Sequence, residues 1–143
     1  MFEPARACAA ADGGYLSAMA RRPIDCRIRV DGMPARSETI LTEAGPNALV
    51  LSTTLRDRGI WLDSTYLGHG GTETQITHLL VAPGRSGETE SRSVPHDEIP
   101  VIHVRRLCLY DHLQRLQDFL DSLGHTAQVH GLDLAIEAVE QYG

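Results

Sequence analysis

The side chains in this chain best suited to chemistry are arginines. Arg21 and Arg22 stand immediately before a run in which apolar and polar residues alternate, and Arg27 and Arg29 fall on the polar parity of that run. A guanidinium is a planar fork of donors that can hold phosphate oxygens in pairs, so this grouping suits a phosphate-bearing ligand. The plainer reading ranks ahead of it: a solvated strand face with Asp25 and Asp31 as neighbours. All 13 basic residues are arginine and none is lysine. Codon bias in a GC-rich genome accounts for that, although arginine also suits planar contacts to phosphate and guanine.

The seven histidines offer less. His96, Asp97, Glu98 and His103 lie close together, and His125 with His130 form a second pair, but neither spacing matches a zinc or iron motif, so no metal site is expected. The glycine-rich GHGGTE, from Gly68 to Glu73, lacks the strand–Gly-x-Ser-x-Gly–helix setting of a nucleophile elbow. It also lacks the lysine of a phosphate-binding P-loop and reads as a turn. No catalytic residue, metal ligand or cofactor follows from the sequence, and a non-enzymatic chain is expected.

Length and charge narrow the setting. A chain of 143 residues supports one core, hence one domain. Its net charge of −6 disfavours wrapping long nucleic acid, which needs a basic face, but leaves room for a small phosphate ligand held by local arginines. No apolar run approaches the roughly 18 residues of a membrane span, and the Ala-rich start has no secretory pattern. Cys8, Cys26 and Cys108 are odd in number, widely spaced and set among apolar residues, which suggests free thiols in a reducing cytoplasm.

Several elements must position these groups. Residues 1–20 favour helix, with a break at Gly13 and Gly14. Ile24, Cys26, Ile28 and Val30 alternate with Asp25, Arg27, Arg29 and Asp31, which predicts one half-buried strand. Asp31-Gly32 is a hairpin signal, with Arg36 to Thr42 returning as the partner strand. After a turn over Glu43 to Asn47, further strands follow at Ala48–Thr53, Ile60–Tyr66 and Gln75–Ala82, and Ser64 shares the parity of Ile60, Leu62 and Tyr66. The polar stretch from Pro83 to Glu98 is expected as a mobile loop or an exposed hairpin extension.

The best-formed stretch is Ile99 to Gly124. Leu113, Leu116, Leu120 and Leu123, widened by Phe119, make one helical stripe, with Asp111 as the expected N-cap, Gln114 reaching back to it and Gly124 ending the helix. In the preceding residues Ile102 and Val104 keep one parity while Leu107 and Leu109 keep the other, so a strand there needs a bulge at Arg105/Arg106. AQVH, within Thr126 to Gln141, reads either way, but Leu132, Ile136 and Val139 favour a terminal helix. The sum is an α+β chain, mostly β. It comprises an N-terminal helical segment over 1–20, a small antiparallel β-barrel or curled sheet over 21–109, and C-terminal helices over 110–143.

Arginines before a first strand, a strand pair bounded by a Thr/Ser-x-x-Gly turn, three further strands and a strand running into an amphipathic helix resemble the PilZ domain. That domain is a small β-barrel that in many bacteria binds cyclic di-GMP. The resemblance covers roughly Arg21 to Leu123 and is one of topology more than of sequence. The family carries R-x-x-x-R before the first strand and a D/N-x-S-x-x-G turn after the second. Here ILTEAG, Ile40 to Gly45, places Thr42 and Gly45 in that turn, with Ile40 where the acid or amide belongs, and Arg22 and Arg27 are spaced one residue too wide. The resemblance implies a cyclic dinucleotide site bordered by Arg21, Arg22, Arg27, Thr42 and Gly45. Because the departures fall on ligand-contacting groups, a degenerate member acting through a protein partner is an equal expectation. Beside these stands a small adaptor or immunity-type protein with an acidic binding surface.

Overall fold

The computed structural model describes residues 20–45, 47–68, 72–95 and 104–130. The helical segment expected over 1–20, the terminal helix expected after AQVH, and the grouping of His96, Asp97, Glu98 and His103 lie outside the described residues. The chain order is β1 (Ala20–Ile24), β2 (Arg27–Val30), β3 (Met33–Pro34), β4 (Ser37–Glu43), β5 (Ala48–Leu55), β6 (Ile60–Leu67), β7 (Glu73–Val81), β8 (Glu88–Pro95), helix α1 (Val104–Ser122) and β9 (Ala127–His130). The fold is mostly β, and both of its sheets are antiparallel. One has six strands in the order β1-β4-β5-β6-β7-β8, and the other three in the order β3-β2-β9. β1 and β8 are opposite edges that do not pair, so the expected barrel is not closed. No helix among the described residues is long and apolar enough to cross a membrane.

The single strand expected from Ile24 to Val30 is two strands in different sheets. After Ile24 the chain turns tightly, Cys26 N–H donating to the Ile24 carbonyl at 3.1 Å. β1 pairs with β4, while β2 pairs with β3 and β9. The alternation of buried and exposed residues survives the break, which is why periodicity alone could not reveal it. The Asp31-Gly32 turn is present with φ of 54° and 79°, the positive values a type I′ hairpin needs. Its return strand is only the two-residue β3, and the longer β4 goes to β1. Within Pro83 to Glu98, Glu88–Pro95 is β8, paired along its length with β7, so the exposed hairpin extension is the form realised there.

α1 starts at Val104, so the strand and bulge expected before it are replaced by two further helical turns. Cys108, Leu109 and His112 extend the buried stripe of Leu113, Leu116, Phe119 and Leu120 backwards, and laying that whole face on the sheet buries more apolar surface than a short strand would. Asp111 is therefore a mid-helix residue and caps nothing, and Gln114 donates to Asp118 instead of reaching back. At the other end Gly124, φ 88°, donates to Asp121 O while His125 N–H donates to Leu120 O, the paired bonds of a Schellman motif. AQVH is the strand β9.

The helix lies against one sheet face, but the core between them is not continuous oil. One apolar cluster gathers Leu41, Leu49, Leu51, Tyr66, Ile76 and Leu109, and a second gathers Leu55, Ile60, Leu62, Leu80, Leu116 and Leu120. Besides these the interior holds buried polar side chains, Thr39, Thr53, Ser64, Thr74, His78 and His112.

Candidate functional site

The polar row is built by strand register. Thr39 on β4 stands opposite Thr53 on β5, and Ser64 on β6 stands opposite His78 on β7. Thr39 Oγ1 and Thr53 Oγ1 are 2.9 Å apart, and Ser64 Oγ lies 2.6 Å from His78 Nδ1. His112, reaching down from α1, joins the two pairs, with Nε2 2.7 Å from Thr53 Oγ1 and Nδ1 2.6 Å from Ser64 Oγ. At one end Cys26 Sγ donates to Thr39 Oγ1 at 3.6 Å. At the other, His78 Nε2 is 3.3 Å from Asp111 Oδ2. Asp111 also accepts from the Tyr66 hydroxyl at 2.7 Å and from Arg92 at 2.6 Å.

Burial decides the protonation of this row. Removal from water, and then the neighbouring His78, push the His112 imidazole down to about 3, so it is neutral and carries one N–H. Burial acts to raise the Asp111 carboxyl, but the hydrogen bonds from His78 and Tyr66, with the charges of His78 and Arg92, outweigh it and hold the group below the ordinary carboxylate range. Burial raises the Tyr66 phenol and pushes the Cys108 thiol up to about 12, and it raises Cys26 against the opposing Thr39 hydrogen bond.

With a single hydrogen on each imidazole, the row has one direction. Since the Asp111 carboxylate only accepts, that hydrogen of His78 is on Nε2, and Nδ1 accepts from Ser64. Ser64 has a single hydrogen, so it accepts from His112 Nδ1–H. His112 Nε2 then accepts from Thr53, Thr53 from Thr39, and Thr39 from the Cys26 thiol. The row runs one way, from Cys26 to Asp111.

Over His78 and Asp111 opens a cleft of about 230 Å³ between α1 and the β7–β8 hairpin. Arg92 and Glu90 of β8 and Arg115 and Asp118 of α1 line it. Arg115 grips Glu90 through two bonds of 2.8 and 2.6 Å, and this pairing lowers the Glu90 carboxyl. Ser64, His78 and Asp111 are the residue types of a hydrolytic triad. Ser64 is fully buried, however, and its oxygen is held between two imidazoles, so it cannot meet a substrate.

The residues singled out in the sequence are brought together in part. Arg21 stands directly opposite Thr42 in the β1–β4 pair, and Gly45 follows in the β4–β5 turn with φ 103°. Arg22, on the other face, donates to Glu43 Oε1 at 3.2 Å, while Arg105 of α1 donates to Glu43 Oε2 from Nε at 2.9 Å. Arg27 is carried into the other sheet, where with Cys26 and Arg29 it lines a second cavity of about 550 Å³. His125 is bonded to Asp31, and no cluster of metal-ligating side chains occurs among the described residues. The polar row escaped the sequence reading although it left a trace: Thr39, Thr53, Ser64 and His78 all sit on the apolar parity of their strands.

Comparison with family models, curated proteins and solved structures finds no match for this chain.

Proposed function

We propose that this chain is a cytoplasmic, non-enzymatic binding module that engages a protein partner at the cleft between α1 and the β7–β8 hairpin. One observation carries the reading: the cleft holds braced charges at its opening. Arg92 is set by Asp111 and Arg115 by Glu90, so the charges are pre-positioned for a partner's ionic groups. At about 230 Å³ the cleft falls below the roughly 300–1,000 Å³ of small-molecule sites and suits a partner side chain better than a dinucleotide. The test is crosslinked capture from the native cells. A partner should be retained by the wild type and by Arg56→Ala, which is remote from the cleft, and lost by Gln114→Arg/Asp118→Arg, which reverses charge on its exposed rim. Equal capture by the rim variant removes the reading.

The opposition of Arg21 and Thr42, with Gly45 in the next turn, favours a second reading, a PilZ-like receptor for cyclic di-GMP. Against it stand the distant Arg27 and the carboxylate of Glu43 beside Arg22. Calorimetric titration with cyclic di-GMP decides: heat from the wild type that disappears in Arg21→Ala/Arg22→Ala supports a receptor, and no heat from the wild type at high micromolar ligand removes it.

A further inference from the structure

The row between Cys26 and His78 has a second arrangement that satisfies every member. When His78 carries protons on both nitrogens, its Nδ1–H must donate to Ser64. The serine hydrogen then turns to His112 Nδ1, and His112, still neutral, carries its proton on Nε2 and donates to Thr53. Thr53 turns to Thr39, and Thr39 to the Cys26 sulfur. No bond is lost and each reverses.

We propose that this row is a two-state proton relay joining the cleft to the cavity beside Cys26, in which a proton gained by His78 reverses every hydrogen bond between the two. The transfer balances in single file. Ser64 passes its proton to His78 Nδ1 and takes the one on His112 Nδ1; His112 Nε2 takes the Thr53 proton, Thr53 that of Thr39, and Thr39 that of Cys26. The Cys26 sulfur, half-buried and lining the second cavity, takes one proton from a hydronium ion there, which leaves as water. One proton enters at Cys26, one positive charge appears on His78, and His112 changes tautomer without gaining or losing charge.

Charged and polar groups face His78 from several elements. Asp111 faces it from α1 and Glu90 stands opposite on β8, while Arg92 and Arg115 are engaged by those same carboxylates. From β6 come only the Ser64 hydroxyl and the Tyr66 ring, edge-on at 6.3 Å, and His112 is the remaining neighbour. The inference stands whether or not the cleft binds a protein.

The test uses the full chain labelled with ¹⁵N and ¹³C, with histidine tautomers read from long-range ¹H–¹⁵N correlations as the pH is lowered through the titration of His78. In the wild type the His112 population should invert from Nδ1–H to Nε2–H at the His78 midpoint while His112 stays neutral, and the Cys26 ¹³Cβ resonance should move with the same midpoint. In Thr53→Val, near-isosteric and unable to pass a proton, His78 should still titrate and the Cys26 resonance should stay still. A His112 tautomer that does not change in the wild type overturns the relay, as does a Cys26 response that survives Thr53→Val.

Discussion

Ser64 Oγ and His78 Nδ1 lie 2.6 Å apart across the β6–β7 pair, and His112 Nδ1 approaches the same oxygen equally closely from the helix side. A hydroxyl gripped by two rings in a dry core is a structural connector. Ser64→Ala should therefore be costly, since each buried ring nitrogen left without its partner costs about 1–3 kcal/mol. Urea unfolding reads the loss directly. A fluorophosphonate probe should leave Ser64 of the native chain unlabelled by mass spectrometry, and labelling there would contradict the buried placement.

The row also predicts the response to acid. Unfolded His112 takes a proton near its ordinary value of about 6.5, whereas the folded chain refuses it down to about 3. Between those values the unfolded state binds more protons, so stability falls as pH falls, by about 1.4 kcal/mol per pH unit. Asp111, held low in the fold, adds a loss of the same sign only once pH drops below its ordinary value of 3.8. Urea midpoints should accordingly decline from about pH 6.5 downwards, and a flat profile above about pH 5 would mean that His112 is hydrated in the folded state.

Leu116 is fully buried between α1 and the sheet. Leu116→Ala should cost about 2–5 kcal/mol, and Leu116→Asp should abolish soluble expression, because an unpaired carboxylate in the core removes a large part of a domain's stability. A soluble Leu116→Asp chain that melts cooperatively would place this helix face outward.

Arg85 lies in the exposed turn between β7 and β8, whereas Arg92 is inside a paired strand and Arg105 inside α1. Of these three, trypsin should cut at Arg85 first. Earlier cleavage after Arg92 would show that β8 detaches from β7 in solution.

Much of the strand pattern was legible because hairpin connections and period-two burial leave local marks, as from Ala48 to Ala82. The second half of α1 was legible for the same reason. Its first two turns were not: the β-branched Val101, Ile102 and Val104 favour a strand locally, and packing against the sheet, felt through Leu109 and His112, selects the helix. The conflict of parity between Ile102/Val104 and Leu107/Leu109 is the trace that the helix leaves in the sequence. Arg21 with Thr42 could be anticipated from sequence order, but the separation of Arg27 depended on the two-residue turn at Asp25 and Cys26. The polar row joins residues from five elements, and no local pattern can express that.

The pairing of β2 with β9 sets an order of events. Asp31, just past β2, accepts from Thr126 N–H, a residue 95 positions further along the chain, whereas β4 to β8 pair with successive neighbours. Closing so long a loop costs entropy before any contact rewards it, so the hairpins of the large sheet should form first and the three-stranded sheet last. On the ribosome, β2 must wait for nearly all of the described chain to emerge before its partner exists. Amides of β2 and β9 should then exchange together and earlier than those of β5 and β6, and protection of β2 equal to that of β5 would contradict this order.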